Sequence, residues 1–411
     1  LHQFRKQKRL KPFYKRFSEK FIEGLLMISG TVTSLTVVLI VFFLFREGIG
    51  VFNQKPTEDG YVIAVNKANP LNKVAPEDIK NIYDQKITHW NEVGGKPDSI
   101  ILFRLEDISN YYSDEAIGEN FEGLAGCISR LTDSLPGIIA FFPEKYLDKQ
   151  FKGKVLDVDK ISLSGFFMGE EWFPTAQPSA QLGVMPLVLG TLWVSLGAIL
   201  LALPLGLAAS VYMSEIANER VRRIMKPLIE LLAGIPSVVY GFFGLVIIVP
   251  LIQDTFNLPV GETGLAGSIV LGIMALPTII TISEDAMRNT PRAMKEASLA
   301  LGASKWQTIY KVVVPYSISG ITAGAILGIG RAIGETMAVL MVTGNAAVIP
   351  HSILEPVRTI PATIAAELGE APAGGLHYKA LFALGCILFL ITLFINLTVE
   401  FITGRKKHNK H

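Results

Sequence analysis

Two charged residues stand inside an otherwise apolar run, 321–345, which reads ITAGAILGIGRAIGETMAVLMVTGN. Arg331 and Glu335 are one helical turn apart, so a continuous helix puts both on one face. A charge at the centre of a bilayer costs about 2.5 kcal/mol or more by insertion scales. Pairing lowers that cost without removing it, so charge kept at this depth marks a candidate pathway site. The planar guanidinium of Arg331 can hold an oxyanion through parallel hydrogen bonds. Glu335 can balance Arg331 when the path is empty, or accept a hydrogen bond from a protonated oxyanion. That second role discriminates against fully ionised anions such as sulfate. A structural ion pair between two helices is the competing use of the same residues. Gly324, Gly328, Gly330 and Gly334 in the same run suit close helix packing.

A second constellation is Glu296-Ala297-Ser298, then Gly302, then Val312-Val313-Val314-Pro315. Ala297, Ala300 and Leu301 give a short helix a small apolar face, and Gly302 permits a sharp turn into a second helix. Such a helix-turn-helix can seat in a groove on a soluble partner, with Glu296 as a polar handle. Enzyme chemistry finds no support. No His, Cys, Ser or metal cluster converges, and His89 beside Trp90 reads as a surface or satisfied histidine. Cys127 lies in a polar stretch and Cys386 in an apolar one, which argues against a disulfide framework. No GxxxxGK[ST] phosphate loop occurs, so energy must come from another polypeptide. No cofactor, metal or nucleic-acid partner is expected.

The elements that position these residues are membrane helices. Of 411 residues, 50% are apolar and the mean hydropathy is +0.41, together too apolar for an ordinary soluble domain. A spanning helix needs roughly 20 mainly apolar residues. Six stretches qualify: 24–45, 186–214, 228–252, 265–283, 318–343 and 380–402. Lys and Arg then set the orientation. They crowd the N-terminal tail (Arg5 to Lys20), the loop after span two (Arg220, Arg222, Arg223, Lys226), the loop after span four (Arg288, Arg292, Lys295, Lys305, Lys311) and the C-terminal tail (Arg405, Lys406, Lys407, Lys410). All four fall on one side of a six-span protein, the cytoplasm. Both termini, 1–23 and 404–411, are expected there. The chain begins at Leu1 rather than Met, as expected of a missing or processed start. The first span is too long for a signal peptide, and no cleavage site follows it.

Between spans one and two lies an acidic extracytoplasmic insertion, 46–182. Its part from about 60 to 161 has α/β character. Strands are expected at 61–66, 100–103, 136–142 and 155–158. A helix begins at Pro76 with acids in its first turn. Ser113 reads as an N-cap to a helix whose face carries Ile117, Phe121, Leu124, Ile128 and Leu131. The five remaining spans occupy 183–403. The fold class is an all-α polytopic membrane protein with an extracytoplasmic α/β insertion.

The spacing of the Glu296–Pro315 block resembles the loop that defines permeases of ATP-driven (ABC) importers. With GIPSVVYGFFGL (234–245), EASLALGASKWQTIYKVVVP (296–315) and GIGRAIGETMAVLMVTGN (328–345), the chain resembles the phosphate-specific permeases, on the PstC side of their two paralogues. That resemblance implies a six-span permease coupled to its ATPase through Glu296, Ala297, Gly302 and Pro315, with Arg331 and Glu335 in the substrate pathway. It implies as partners a sister permease in a heterodimer, an ATPase dimer, an extracytoplasmic phosphate-binding protein and membrane lipids. Import of sulfate, molybdate or tungstate, and phosphate sensing by the insertion, are the alternatives. The words VNKANPLNKVAPEDIKNIYDQKITHWNEVGG and SLPGIIAFFP resemble part of a periplasmic phosphate-binding protein. After Arg104, however, LEDISNYY retains only Ser109 of that family's Ser-Gly-Thr anion turn, and Glu106 and Asp107 would repel an anion. A structural or docking module is therefore the favoured reading of the insertion.

Overall fold

The computed structural model describes residues 13–58, 60–118 and 120–408, with side chains between 21 and 401. Arg5, Lys6, Lys8, Arg9, Lys11 and Lys410, used to orient the tails, lie outside the described residues. Among the described residues, six helices are long and apolar enough to cross a membrane. The first, α1 (Phe13–Ile49), begins earlier than the expected span. Most of its apolar surface is exposed, and it packs through its last turns on the final helix. There Gly48 abuts Ala383 and Cys386, and Leu44 abuts Gly385.

The insertion follows: β1 (Tyr61–Val65), β2 (Lys73–Val74), α2 (Pro76–Tyr83), β3 (Ile101–Arg104), α3 (Asp114–Ile117), α4 (Leu124–Ser134), β4 (Ile138–Pro143), β5 (Lys154–Val155) and β6 (Asp157–Val158). Its main sheet has the order β3-β4-β1-β5, with β4 antiparallel to β1 and parallel to β3. Strand alternation divides the side chains between two cores. Ala64, Ile138, Ala140 and Phe142 pack against Leu124, Cys127, Ile128 and Leu131 of α4. Ile63, Val65, Ile139 and Phe141 pack against Ile79 and Ile82 of α2 and against Trp90. Burial on both faces explains why β4 reads as a continuous apolar run. The single helix expected after Ser113 is two. α3 stops at Gly118, Phe121 takes a left-handed φ of 63° and is exposed, and α4 restarts at Leu124.

α5 (Leu163–Met168), β7 (Trp172–Phe173) and β8 (Gln181–Leu182) join the insertion to the membrane helices. Phe166, Trp172 and Leu182 share one core with Val51, Leu187, Ala347, Ile360, Ala380 and Leu381. The membrane part contains α6 (Met185–Val211), α7 (Glu219–Gly234), α8 (Ser237–Phe243), α9 (Val249–Phe256) and α10 (Gly264–Arg288). It continues through α11 (Arg292–Ala300), α12 (Lys305–Thr308), α13 (Val314–Ile333), α14 (Met337–Val342), α15 (Ile360–Glu367) and α16 (Leu376–His408). Single π-turns extend α6 over Tyr212–Ile216 and join α8 to α9 and α12 to α13. Helix α10 is the central strut, packed against both α6 and α13. Small residues make this possible: Gly320, Gly324 and Gly328 of α13 lie against Ala286, Ser283 and Ile279 of α10.

Two expected spans are broken. Span 228–252 is interrupted at 235–236 between α7 and α8, and span 318–343 at 334–336 between α13 and α14. Pro236, which has no N–H to give the helix ladder, sits at the first break. Residues 334–336 end the second helix without any proline.

Candidate functional site

Both breaks lie at the depth of the middle of α10. On α7, Ile229 packs beside Ile280, and on α8 Tyr240 shares a core with Met274. On α13, Gly328 lies against Ile279, and one turn later Ala332 joins the Met274 core. Beyond the break, α14 continues alongside α8 and α10: Ala338 meets Gly241, Val342 meets Gly244 and Thr343 meets Gly267. The candidate site is therefore where two interrupted helices face each other across α10. Non-helical backbone at such depth is tolerated where it is buried in protein or lines a cavity.

Arg331 is in the last turn of α13, half-buried and close enough for its charge to act on the Tyr240 phenol. Glu335 is not on that helix. It lies in the break, also half-buried. The expectation of one shared helix face is thereby corrected, because the helix ends at Ile333, before the turn that would carry Glu335 closes. Among the described residues no ion pair within 4.0 Å joins Arg331 to any carboxylate. Gly330 and Leu327, on neighbouring turns, face open space. The guanidinium is thus held at the edge of the helix packing rather than neutralised inside it.

Tyr240 belongs to the GIPSVVYGFFGL block, 234–245. In the structure its hydroxyl donates to the Leu232 carbonyl at 2.8 Å. That carbonyl is the one an N–H at position 236 would serve in an unbroken helix. Tyr240 therefore spans the first break with a substitute donor. A groove of about 480 Å³ borders the second break, lined by Gly334, Thr336, Pro361, Ile364, Ala365 and Leu388 among others.

The second constellation lies at the far end of α10. α11 carries Glu296 and Ala297, both exposed, and ends in a turn with Gly302 at φ 81°. The Ala303 N–H reaches back to the Ser298 carbonyl at 3.2 Å, as in a glycine-terminated helix. Ser304 and Gln307 then cap α12 reciprocally, and Pro315 opens α13 after the π-turn. Leu301 is 89% exposed and Trp306 63%, so an apolar tip projects from the turn. Ion pairs brace it from behind. Lys295 meets Glu215 at 2.6 Å, and Lys226 of α7 meets Glu284 at 2.8 Å and Asp285 at 2.7 Å. Glu284 is buried, and these partners were not foreseen because they are far apart in sequence.

Asp107 accepts the Arg104 backbone N–H at 3.0 Å, at the start of the 3-10 turn Leu105–Asn110. The Arg104 guanidinium lies over the Tyr83 ring, 5.4 Å from its centroid. Burial pushes the Tyr83 phenol well above its ordinary pKa, against the pull of Arg104.

The family model described as binding-protein-dependent transport system inner membrane component matches residues 202–408, and the PBP superfamily domain matches 44–140. A probable ABC transporter permease protein, YqgH of Bacillus subtilis, is 39% identical over 250 residues, 61% of this chain and 81% of that protein. Phosphate transport system permease protein PstC of Mesorhizobium japonicum is 38% identical over 249 residues, covering 56% and 75%. PstC 1 of Mycobacterium tuberculosis is 34% identical over 309 residues, covering 66% and 91%.

Two outcomes follow from the geometry. Tyr240→Phe leaves the Leu232 carbonyl with only the Ile235 N–H at 3.3 Å, a loss of about 0.5–1.5 kcal/mol, and faster amide exchange around 232–240 would register it. Gly302→Val forces a β-branched residue into left-handed backbone at about 1–2 kcal/mol, and exchange in 292–304 should rise while the α10 core stays protected.

Proposed function

Because the chain belongs to the family of binding-protein-dependent transport system inner membrane components, we propose that it is one permease subunit of an ATP-driven importer carrying inorganic phosphate into the cytoplasm. It is a multi-pass membrane protein with a transport role and performs no covalent chemistry. The observation that carries the substrate reading is Arg331, unpaired with any carboxylate among the described residues, at mid-depth beside a helix break. A planar guanidinium there offers parallel donors to a tetrahedral oxyanion. Glu335, in the adjoining break, would favour an anion that still carries a proton. The relatives named as phosphate transport permeases support the same substrate.

The exposed turn at 296–315 suits docking on a soluble ATPase dimer, through Glu296, Ala297, Gly302 and Pro315. A sister permease would complete the pathway on the open side of Arg331, and an extracytoplasmic binding protein would deliver phosphate. Both termini would then be cytoplasmic, with the insertion 46–182 outside and the permease core at 183–403. The insertion serves as a docking or structural module: the turn after β3 carries Glu106 and Asp107, and Asp107 takes the Arg104 N–H.

The test is uptake of labelled phosphate by the reconstituted complex. Loss of a charge-assisted hydrogen bond worth about 1.5–3 kcal/mol predicts uptake about tenfold to a hundredfold lower in Arg331→Ala, with assembly intact. Glu335→Gln should narrow the preference for phosphate over sulfate. Wild-type uptake in Arg331→Ala would remove it from the pathway, and stronger competition by sulfate, molybdate or tungstate than by phosphate would reassign the substrate.

A further inference from the structure

The insertion is joined to the membrane helices by more than its two chain crossings. Lys80 of α2 meets Glu171 at 2.9 Å. The next residue, Trp172, is fully buried, and its backbone N–H donates to Ala347, just beyond α14, at 3.1 Å. Its indole N–H donates to Glu367, the last residue of α15, at 3.0 Å. The same carboxylate binds Arg358 at 2.7 Å and His377, in the first turn of α16, at 2.8 Å. Burial pushes the Glu367 carboxyl up, but the hydrogen bonds from His377 and Trp172 and the Arg358 charge outweigh it and hold it below the ordinary glutamate value. The node therefore stays ionised at neutral pH, and its contribution is lost only as pH falls through that lowered value.

One carboxylate thus ties the insertion, α15 and α16 together. Helix α15 is also the wall of the groove at the second break, where Pro361, Ile364 and Ala365 line up with Gly334 and Thr336. On its other side α15 is fixed to α6, whose Thr191 hydroxyl accepts the Ile360 N–H at 2.9 Å. A continuous series of contacts therefore runs from the insertion's helix α2 through Lys80, Glu171, Trp172 and Glu367 to the groove that borders the break at 334–336. Packed and hydrogen-bonded elements of this kind carry coupling when they have two arrangements.

We propose that Trp172 and Glu367 are positioning residues through which the insertion sets the placement of α15 against the break in span five, so that a partner docking on the insertion acts on the pathway. This rests on the transport reading above and deepens it. No role in holding substrate is assigned to either residue.

The test separates the link from the substrate assignment. A spin label at Ala365→Cys, an exposed position on α15, reports the groove wall in the full-length protein, and the native Cys127 and Cys386 are buried. Trp172→Phe, which keeps an aromatic ring but removes the N–H, should change the label's mobility. So should Lys80→Glu, and the exchange Lys80→Glu with Glu171→Lys should restore it. In the reconstituted complex the single variants should lose several-fold of binding-protein-stimulated uptake with basal ATP hydrolysis unchanged, and the exchange should recover it. Unchanged label mobility in both single variants, or no recovery on exchange, overturns the proposal. A label that responds as expected in a complex that carries no phosphate upholds the link and refutes the substrate instead.

Discussion

The structure depends on one constraint: backbone that leaves the helix ladder at membrane depth must find other partners. Water cannot supply them there, and each unmet group costs several kcal/mol. Pro236 removes a donor from span three, and the Tyr240 hydroxyl supplies another to the Leu232 carbonyl. Residues 334–336 interrupt span five, and α8, α10 and α15 gather around that gap. The uninterrupted α10 holds both breaks at one depth, because glycines on α13 and α8 let the helices approach closely. Arg331 owes its position to this arrangement. It ends one helical piece, beside another helix's break, with its charge acting on Tyr240.

The two faces of the molecule connect to that level through different chemistry. On the side of the α11 turn, ion pairs bind α7 to α10 and α11 to the end of α6. The exposed Leu301 and Trp306 tip is thus tied to the end of α6, and α7, whose other end is the first break, is tied to α10. On the insertion side, the Glu367 node binds β7 to α15 and α16. The second break is thus linked to the insertion, and α10, continuous through Pro277, runs past both breaks.

The sequence made the membrane helices and the insertion's sheet legible because both rest on periodic burial. The run PGIIAFF became β4, buried on both faces, and the block around Glu296 became a helix, a left-handed Gly302 and a capped second helix. Periodicity failed where the backbone departs from it. Phe121 fits a helical face by spacing yet sits in left-handed backbone outside both helices. Glu335 is one turn from Arg331 by count, but residues 334–336 carry no proline to announce the break. Tyr240, Lys226, Trp172 and Glu367 were not singled out for these contacts, since their partners are set by tertiary packing rather than by local spacing.

The central claim, that the break at 334–336 lines a path gated by the partner subunits, is tested most directly by thiol accessibility at Gly334→Cys in the reconstituted complex. Gly334 is exposed, and a Cβ there meets nothing closer than ordinary contact. The account predicts modification by a membrane-impermeant thiol reagent in one nucleotide state, protection in the other, and further protection by phosphate. A thiol modified at the same rate in every nucleotide state, or reached only by lipid-soluble reagents, would contradict it.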